Sequence, residues 1–193
     1  MARPLRIEYP GAFYHVMNRG QRQDVIYEDD RDRERFISCL ERVSQQYATR
    51  IHTYCLMPNH YHLIVETPQA NLSRVMQWLH VTYATYYNRR HQYAGRLFQG
   101  RYRAIVIEAD AYLESLSRYI HLNPVRAKMA AHPWDYAWSS CQFFVRSLKA
   151  PEWMDVDRIL SGFGRTVQVK TYSPLYDKYL LQPDQQFQLE LDQ

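Results

Sequence analysis

The order of apolar and polar positions along the chain outlines most of a fold. Residues 13–18 (Phe-Tyr-His-Val-Met-Asn) are aromatic and β-branched and predict a strand closing on an Arg19-Gly20 turn. Asp29 and Asp30 set negative charge where a helix begins, and Phe36, Ile37, Leu40 and Val43 recur at helical spacing, predicting a helix over 30–47. Two short apolar runs, 51–57 and 61–66, are parted by Pro58-Asn59 and read as adjacent strands. Asn71 is an N-cap candidate for a second helix, whose stripe of Leu72, Val75, Met76, Leu79 and Tyr83 runs on to residue 90. After a glycine-flanked loop at 95–100, the Ile105-Val106-Ile107 run predicts a buried strand within 102–108. A third helix is expected from Asp110, capped by it, to Leu122, ending before Asn123-Pro124.

Strand, helix, two strands, helix, strand, then helices is the order of an α+β, ferredoxin-like split βαβ arrangement. Its antiparallel sheet carries helices on one face and leaves the other open to a site or a partner. Beyond Ala150 the periodicity weakens, and 182–193 is rich in Gln and Asp with little to bury. The expected division is a main domain over 1–150 and a C-terminal extension over 151–193.

Composition sharpens this outline. Hydrophobic residues at 46% and charged residues at 23% are ordinary for a globular chain, but 17 of the 193 residues are Tyr and 20 of the 24 basic residues are Arg. Net charge is +7 over 1–150 and −3 over 151–193. Arginine forks onto phosphates and tyrosine faces stack on bases, so a basic, aromatic-rich body with an acidic tail suits a nucleic-acid partner. No apolar run is long enough to span a membrane and the N-terminus lacks the apolar stretch of a signal peptide, which gives the expectation of a cytoplasmic protein. Cys39, Cys55 and Cys141 are odd in number and widely spaced, and they are expected to be reduced, small apolar residues.

The sharpest local feature is His60-Tyr61-His62 at the start of a predicted strand. Side chains two apart on a strand share a face, so both imidazoles can converge on one divalent ion while Tyr61 turns to the core. The plain alternative is two histidines on a half-exposed strand. Near the end of the third helix, Tyr119 and Asn123 are four apart and share a face, and Asn123 offers a neutral oxygen to a metal shell. Equally, Asn123 is a fitting cap for a helix begun by Pro124.

Met57-Pro58-Asn59-His60-Tyr61-His62 together with Tyr119-Ile120-His121-Leu122-Asn123-Pro124-Val125-Arg126-Ala127 resembles the single-tyrosine HUH transposases, and specifically their REP-associated tyrosine transposase branch. The resemblance extends over residues 5–145 and takes in Gly11-Ala12-Phe13-Tyr14-His15-Val16 and Leu97-Phe98-Gln99-Gly100-Arg101-Tyr102. It implies a nuclease domain over 1–150 that cuts and rejoins single-stranded DNA beside hairpins of repetitive extragenic palindromes. It further implies Tyr119 as nucleophile, His60 and His62 as ligands of a divalent ion (magnesium or manganese), and a monomer or homodimer. Asn123 matches the polar position one turn past the tyrosine, where related transposases often carry Gln. The resulting reading is metal-dependent cleavage and strand transfer through a 5′-phosphotyrosine; its rival is a non-catalytic binder of structured DNA or RNA derived from such an enzyme.

DNA contacts are expected from Arg3, Arg6, Arg19, Arg22, Arg96, Arg101, Arg103 and Arg126, which fall in the N-terminal arm, loops and element ends, and from Tyr102 as a base-stacking ring between two arginines. Arg31, Arg33, Arg35 and Arg42 alternate with acids and read as a solvated, ion-paired face. Tyr112, seven residues before Tyr119, is the strongest competitor for the nucleophile. His15 is expected to be packed or DNA-facing, His121 to point away from Tyr119, and Trp134, Trp138 and Trp153 to pack the C-terminal segment on the body. The acidic stretch after Ala150 is a candidate cover for the basic surface.

Overall fold

The computed structural model describes residues 7–108, 110–146, 148–163 and 174–182. Four strands, β1 (Ala12–Arg19), β2 (Arg50–Met57), β3 (His60–Thr67) and β4 (Arg103–Ile107), form one sheet in the order β2-β3-β1-β4, every pair antiparallel. The helices α1 (Asp30–Tyr47) and α2 (Leu72–Arg90) connect them in the split βαβ order. The α+β, ferredoxin-like class expected from the periodicity is thus the fold observed.

Period-two alternation divides the strands between two faces. Tyr14, Val16, Tyr61, Leu63 and Val65 enter the core under α1 and α2, where Phe36 lies 5.0 Å from both Tyr61 and Tyr83. α1 starts at an Asp29 cap that accepts a hydrogen bond from the Asp32 amide at 3.2 Å. Arg90, at the end of α2, closes onto Asp29 and the buried Asp32, so the start of one helix is tied to the end of the other. Asn71 does not cap α2 with its side chain; it donates instead to the carbonyl of Tyr47 at 3.1 Å, joining the ends of α2 and α1.

The opposite face is not wholly open. α3 (Asp110–Arg126) crosses it, and Ser117 meets Thr53 of β2 at 3.0 Å. This helix runs through Asn123-Pro124 rather than ending there. An interior proline costs about 3 kcal/mol. Pro124 is itself buried here, one turn past the buried Ile120. The short helices α4 (Gln142–Val145), α5 (Asp157–Leu160) and α6 (Pro174–Leu180) gather on the same side.

The described part of the C-terminal stretch is tied to the body at several points. The Asp155 amide donates to the Ile51 carbonyl at 3.0 Å, Trp153 stacks on Tyr54, and buried Tyr176 meets His121 at 2.7 Å. Trp138 takes the Arg33 guanidinium on its ring, so the tryptophans pack segments onto the body as expected. Arg33 also reaches Asp30 at 3.4 Å and Arg35 lies over the Tyr86 ring, so this helix face mixes ion pairing with ring stacking. All three cysteines are free and buried. No described helix is long and apolar enough to cross a membrane.

Candidate functional site

Where the C-terminal half of α3 approaches the ends of β1, β3 and β4, a cavity of about 590 Å³ opens. Arg19 pairs with His60 and Met17 with both His62 and Arg103 across the strands, so the register alone brings these side chains to one face. The same cavity is lined by Asn18, Gln23, Asn59, Gln99, Arg101, Tyr119 and Asn123. None of its described lining residues is acidic, and its guanidinium-rich wall suits a phosphate.

The two histidines are held in different ways. The Asn59 amide gives Nδ2 to the Gln23 carbonyl at 3.2 Å, which leaves its Oδ1 facing His60 Nδ1 at 2.7 Å. His60 therefore donates from Nδ1 and keeps a lone pair on Nε2. His62 stands at right angles to it, ring centroids 5.1 Å apart, with Nδ1 at 3.0 Å from Nε2 of the buried His15. Burial, and then the Arg19 charge, brings His60 down to about 4; burial and Arg103 bring His15 to about 3. Burial and its two histidine neighbours hold His62 well below the ordinary value. All three rings are thus neutral near pH 7, the form a metal requires.

These groups fit a divalent ion. For His62 to present Nε2, its Nδ1 must carry the proton and donate to His15 Nε2. The remaining proton of His15 then lies on Nδ1, which is buried without a hydrogen-bond partner among the described residues. His15 is accordingly a packed residue, as expected, and one whose tautomer is coupled to that of His62 through their shared hydrogen bond.

From α3, Tyr119 stands edge-on to His62 at 6.1 Å between ring centroids, and the Arg126 guanidinium lies 4.7 Å over the Tyr119 ring. Such a cation over a ring contributes about 0.5–2 kcal/mol. Asn123 donates Nδ2 to the Tyr119 carbonyl at 3.0 Å and to that of Ile120 at 3.4 Å. Asn123 is therefore not the cap of a new helix. Tyr119, Asn123, His60 and His62 meet in one cavity, as their sequence positions suggested.

Other expected contacts divide. Arg19, Arg101 and Arg103 line the cavity. Arg22 and Arg96 line a second hollow of about 330 Å³ with Gln21, Asp24 and Tyr93. Gly20 permits the turn between the hollows, since a Cβ there would meet the Asp24 carbonyl oxygen at 2.0 Å. Arg126 is spent on the Tyr119 ring, and Arg3 and Arg6 lie outside the described residues. Tyr102 corrects the expectation of a stacking platform: only 8% exposed, its ring packs edge-on to His80 at 5.9 Å and offers no open face to a base. Tyr61 is buried on the core side, bonded to His80 at 2.6 Å, and His121 bonds Tyr176 and Ser140, away from Tyr119. Neither Tyr112 nor any described residue after Asn123 lines the cavity, so the described part of the acidic stretch does not cover it.

Asn18, Gln23, Asn59 and Gln99 were not legible as site residues. Only the Pro58-Asn59 and Phe98-Gln99-Gly100 turns beside them marked the positions. A separate cluster, His52, Glu66 and Asp155, brings potential ligand atoms within 4.8 Å of one another. Its groups are already engaged: His52 reaches the Asp155 carbonyl at 2.7 Å and Glu66 at 3.2 Å, and Arg50 reaches Glu66 at 3.0 Å.

The family model for IS200-like transposases matches residues 9–123, more than half of the chain. No curated protein matches in a sequence search. A solved REP-associated tyrosine transposase bound to a REP hairpin superposes with a TM-score of 0.60 at 16% identity, over 72% of this chain and 82% of that one, which shows the shared fold. A Deinococcus radiodurans structure, named as a transposase, gives a TM-score of 0.42 at 16% identity over 62% of this chain and 95% of its own, too slight a likeness to argue from.

Proposed function

The chain belongs to the IS200-like transposase family, and on that premise we propose that it cuts and rejoins single-stranded DNA beside a hairpin, with Tyr119 as nucleophile. The observation that carries this reading is the meeting of Tyr119, His60, His62 and Asn123 in one arginine-walled cavity. The DNA class follows the similar solved structure, which holds a REP hairpin, and a repetitive extragenic palindrome is the proposed target.

His60 and His62, with the Asn123 oxygen, would hold a magnesium or manganese ion. Once bound, that ion supplies Lewis-acid polarisation of a non-bridging phosphate oxygen. Arg19, Arg101 and Arg103 bind and orient the phosphate, offsetting charge that builds on its oxygens as it is attacked. The Tyr119 oxygen then forms a bond to phosphorus as the bond to the 3′-oxygen breaks, and the phenolic proton ends on the released 3′-hydroxyl. The product is a 5′-phosphotyrosine. Because one phosphodiester replaces another, a second 3′-hydroxyl reverses the step and reseals DNA without ATP. Arg126, stacked on the Tyr119 ring, holds it in place and sets positive charge beside the phenolate that departs in the reverse step.

Tyr119→Phe is expected to bind a hairpin oligonucleotide with a single-stranded flank as the wild type does, yet leave no covalent adduct on a denaturing gel. An adduct that persists would remove Tyr119 from the role. The His60→Ala, His62→Ala double variant should lose cleavage by at least a hundredfold and keep most of its charge-driven binding.

A further inference from the structure

α3 carries a proline, Pro124, inside the helix and next to the cavity-lining Asn123. In a regular helix the Ile120 carbonyl would accept from the amide of residue 124, and proline has no such hydrogen. The Asn123 side chain takes that place, with Nδ2 at 3.4 Å from the Ile120 oxygen and 3.0 Å from the Tyr119 oxygen. Two carbonyl oxygens can face only the NH2 end of an amide; the reversed amide would set Oδ1 against both. The Asn123 oxygen is therefore turned away from its own backbone, on a residue that lines the cavity with Tyr119 and both histidines.

We propose that Pro124 is a positioning residue: by denying the Ile120 carbonyl its regular donor four residues on, it fixes the Asn123 amide with its oxygen presented to the divalent-ion site. The proposal rests on reading His60, His62 and Asn123 as the ion-holding set, and it assigns a task to a residue that touches neither ion nor DNA. Proline at 124 also crowds the carbonyl four residues back, that of Ile120, which the Asn123 amide meets at 3.4 Å. Alanine at 124 would restore an N–H that competes for the Ile120 oxygen. Asn123 would then be held by one carbonyl in place of two, and its amide could turn over.

The same substitution removes a proline from a helix interior, which favours the folded state. Pro124→Ala thus separates two properties that a purely structural role would move together. Binding of Mn2+ to the full-length chain, followed by the electron paramagnetic resonance of the free ion, is compared in wild type, Pro124→Ala, Asn123→Ala and the His60→Ala, His62→Ala double variant, with thermal unfolding measured alongside. Pro124→Ala is expected to weaken Mn2+ binding several-fold, toward Asn123→Ala, while its unfolding midpoint stays level or rises. Wild-type Mn2+ affinity in Pro124→Ala overturns the role of the proline and leaves the ion site standing. A wild type that binds Mn2+ no better than the histidine double variant overturns both. Should Pro124→Ala fail to fold, hydrogen exchange of the Asn123 side-chain amide in the wild type decides the question. Slow exchange supports the proposal, and the rate of a solvent-exposed asparagine overturns it.

Discussion

His15 lines no part of the cavity, yet it governs what His62 can offer there. Its Nε2 faces His62 Nδ1 at 3.0 Å, and only one proton lies between them. If His15 donates, His62 carries its hydrogen on Nε2 and has no lone pair for an ion. If His15 accepts, the lone pair is presented and the second His15 nitrogen keeps a buried, unpaired N–H, at a cost of about 1–3 kcal/mol. Partners of this kind are worth about 10–100-fold in metal affinity. His15→Leu is expected to weaken Mn2+ binding by about tenfold or more, by the same titration; unchanged affinity would show that His62 finds its tautomer without help. The sequence marked His15 through the Gly11-Ala12-Phe13-Tyr14-His15-Val16 motif and its place on the first strand, but not as a partner of His62. The paired register that brings Met17 opposite His62, and so His15 beside it, became visible only once the strands were ordered.

At the level of elements, periodicity was a sound guide wherever burial enforced it. α1 occupies 30–47 as the spacing of Phe36, Leu40 and Val43 required, because a shift of one residue would take Phe36 out of the aromatic cluster with Tyr27, Tyr61 and Tyr83. One local signal held and one misled, both at asparagines. Asn71 is the N-cap position of α2, as expected, although its side-chain amide goes to the Tyr47 carbonyl; the Asn123 amide goes to the carbonyls of Tyr119 and Ile120 in place of capping a new helix. Asn123-Pro124 reads as a helix stop by local preference, whereas the helix continues to Arg126 with Pro124 itself buried. Tyr102 was misplaced for a related reason. Alternation with Arg101 and Arg103 put it on the opposite face from them, and that face is the one α2 covers. The cavity's His and Tyr positions were legible because each repeats a short local pattern. Its Asn18, Gln23, Asn59 and Gln99 walls come from the end of β1 and from turns up to 81 residues away, and leave no such pattern.

For the molecule as a whole, the body and its C-terminal stretch are joined at the end of the sheet remote from the cavity. A bulge between Ile51 and Thr53 leaves His52 outside the regular pairing, where it bridges the Asp155 carbonyl and Glu66. The His52 hydrogen bond and the Arg50 guanidinium hold the Glu66 carboxyl below its ordinary value of 4.5. A depressed carboxyl stabilises the folded state fully above about pH 4.5 and loses that effect as pH falls through the folded value. The difference in urea midpoint between wild type and Glu66→Gln should therefore be constant from pH 5.5 to 7, roughly, and shrink below about pH 4.5. An equal difference at both extremes would remove Glu66 from the pH response.

That junction also finishes the sheet. The outer edge of β2 gives its backbone groups to two later segments, with Leu56 and Tyr54 bonded to Trp138 and Ser140, and Ile51 bonded to Asp155. Ending the chain at residue 150 removes the second of these and strips one of the three bonds from the edge. A bare strand edge is a template for another chain, so the truncated protein is expected to fail by self-association rather than by simple loosening. Its mean particle size should rise with protein concentration in light scattering, while circular dichroism keeps the strand signal; clean, monomeric unfolding would speak against this. The C-terminal stretch then acts as a guard against aggregation, sealing part of one margin of the sheet from another chain.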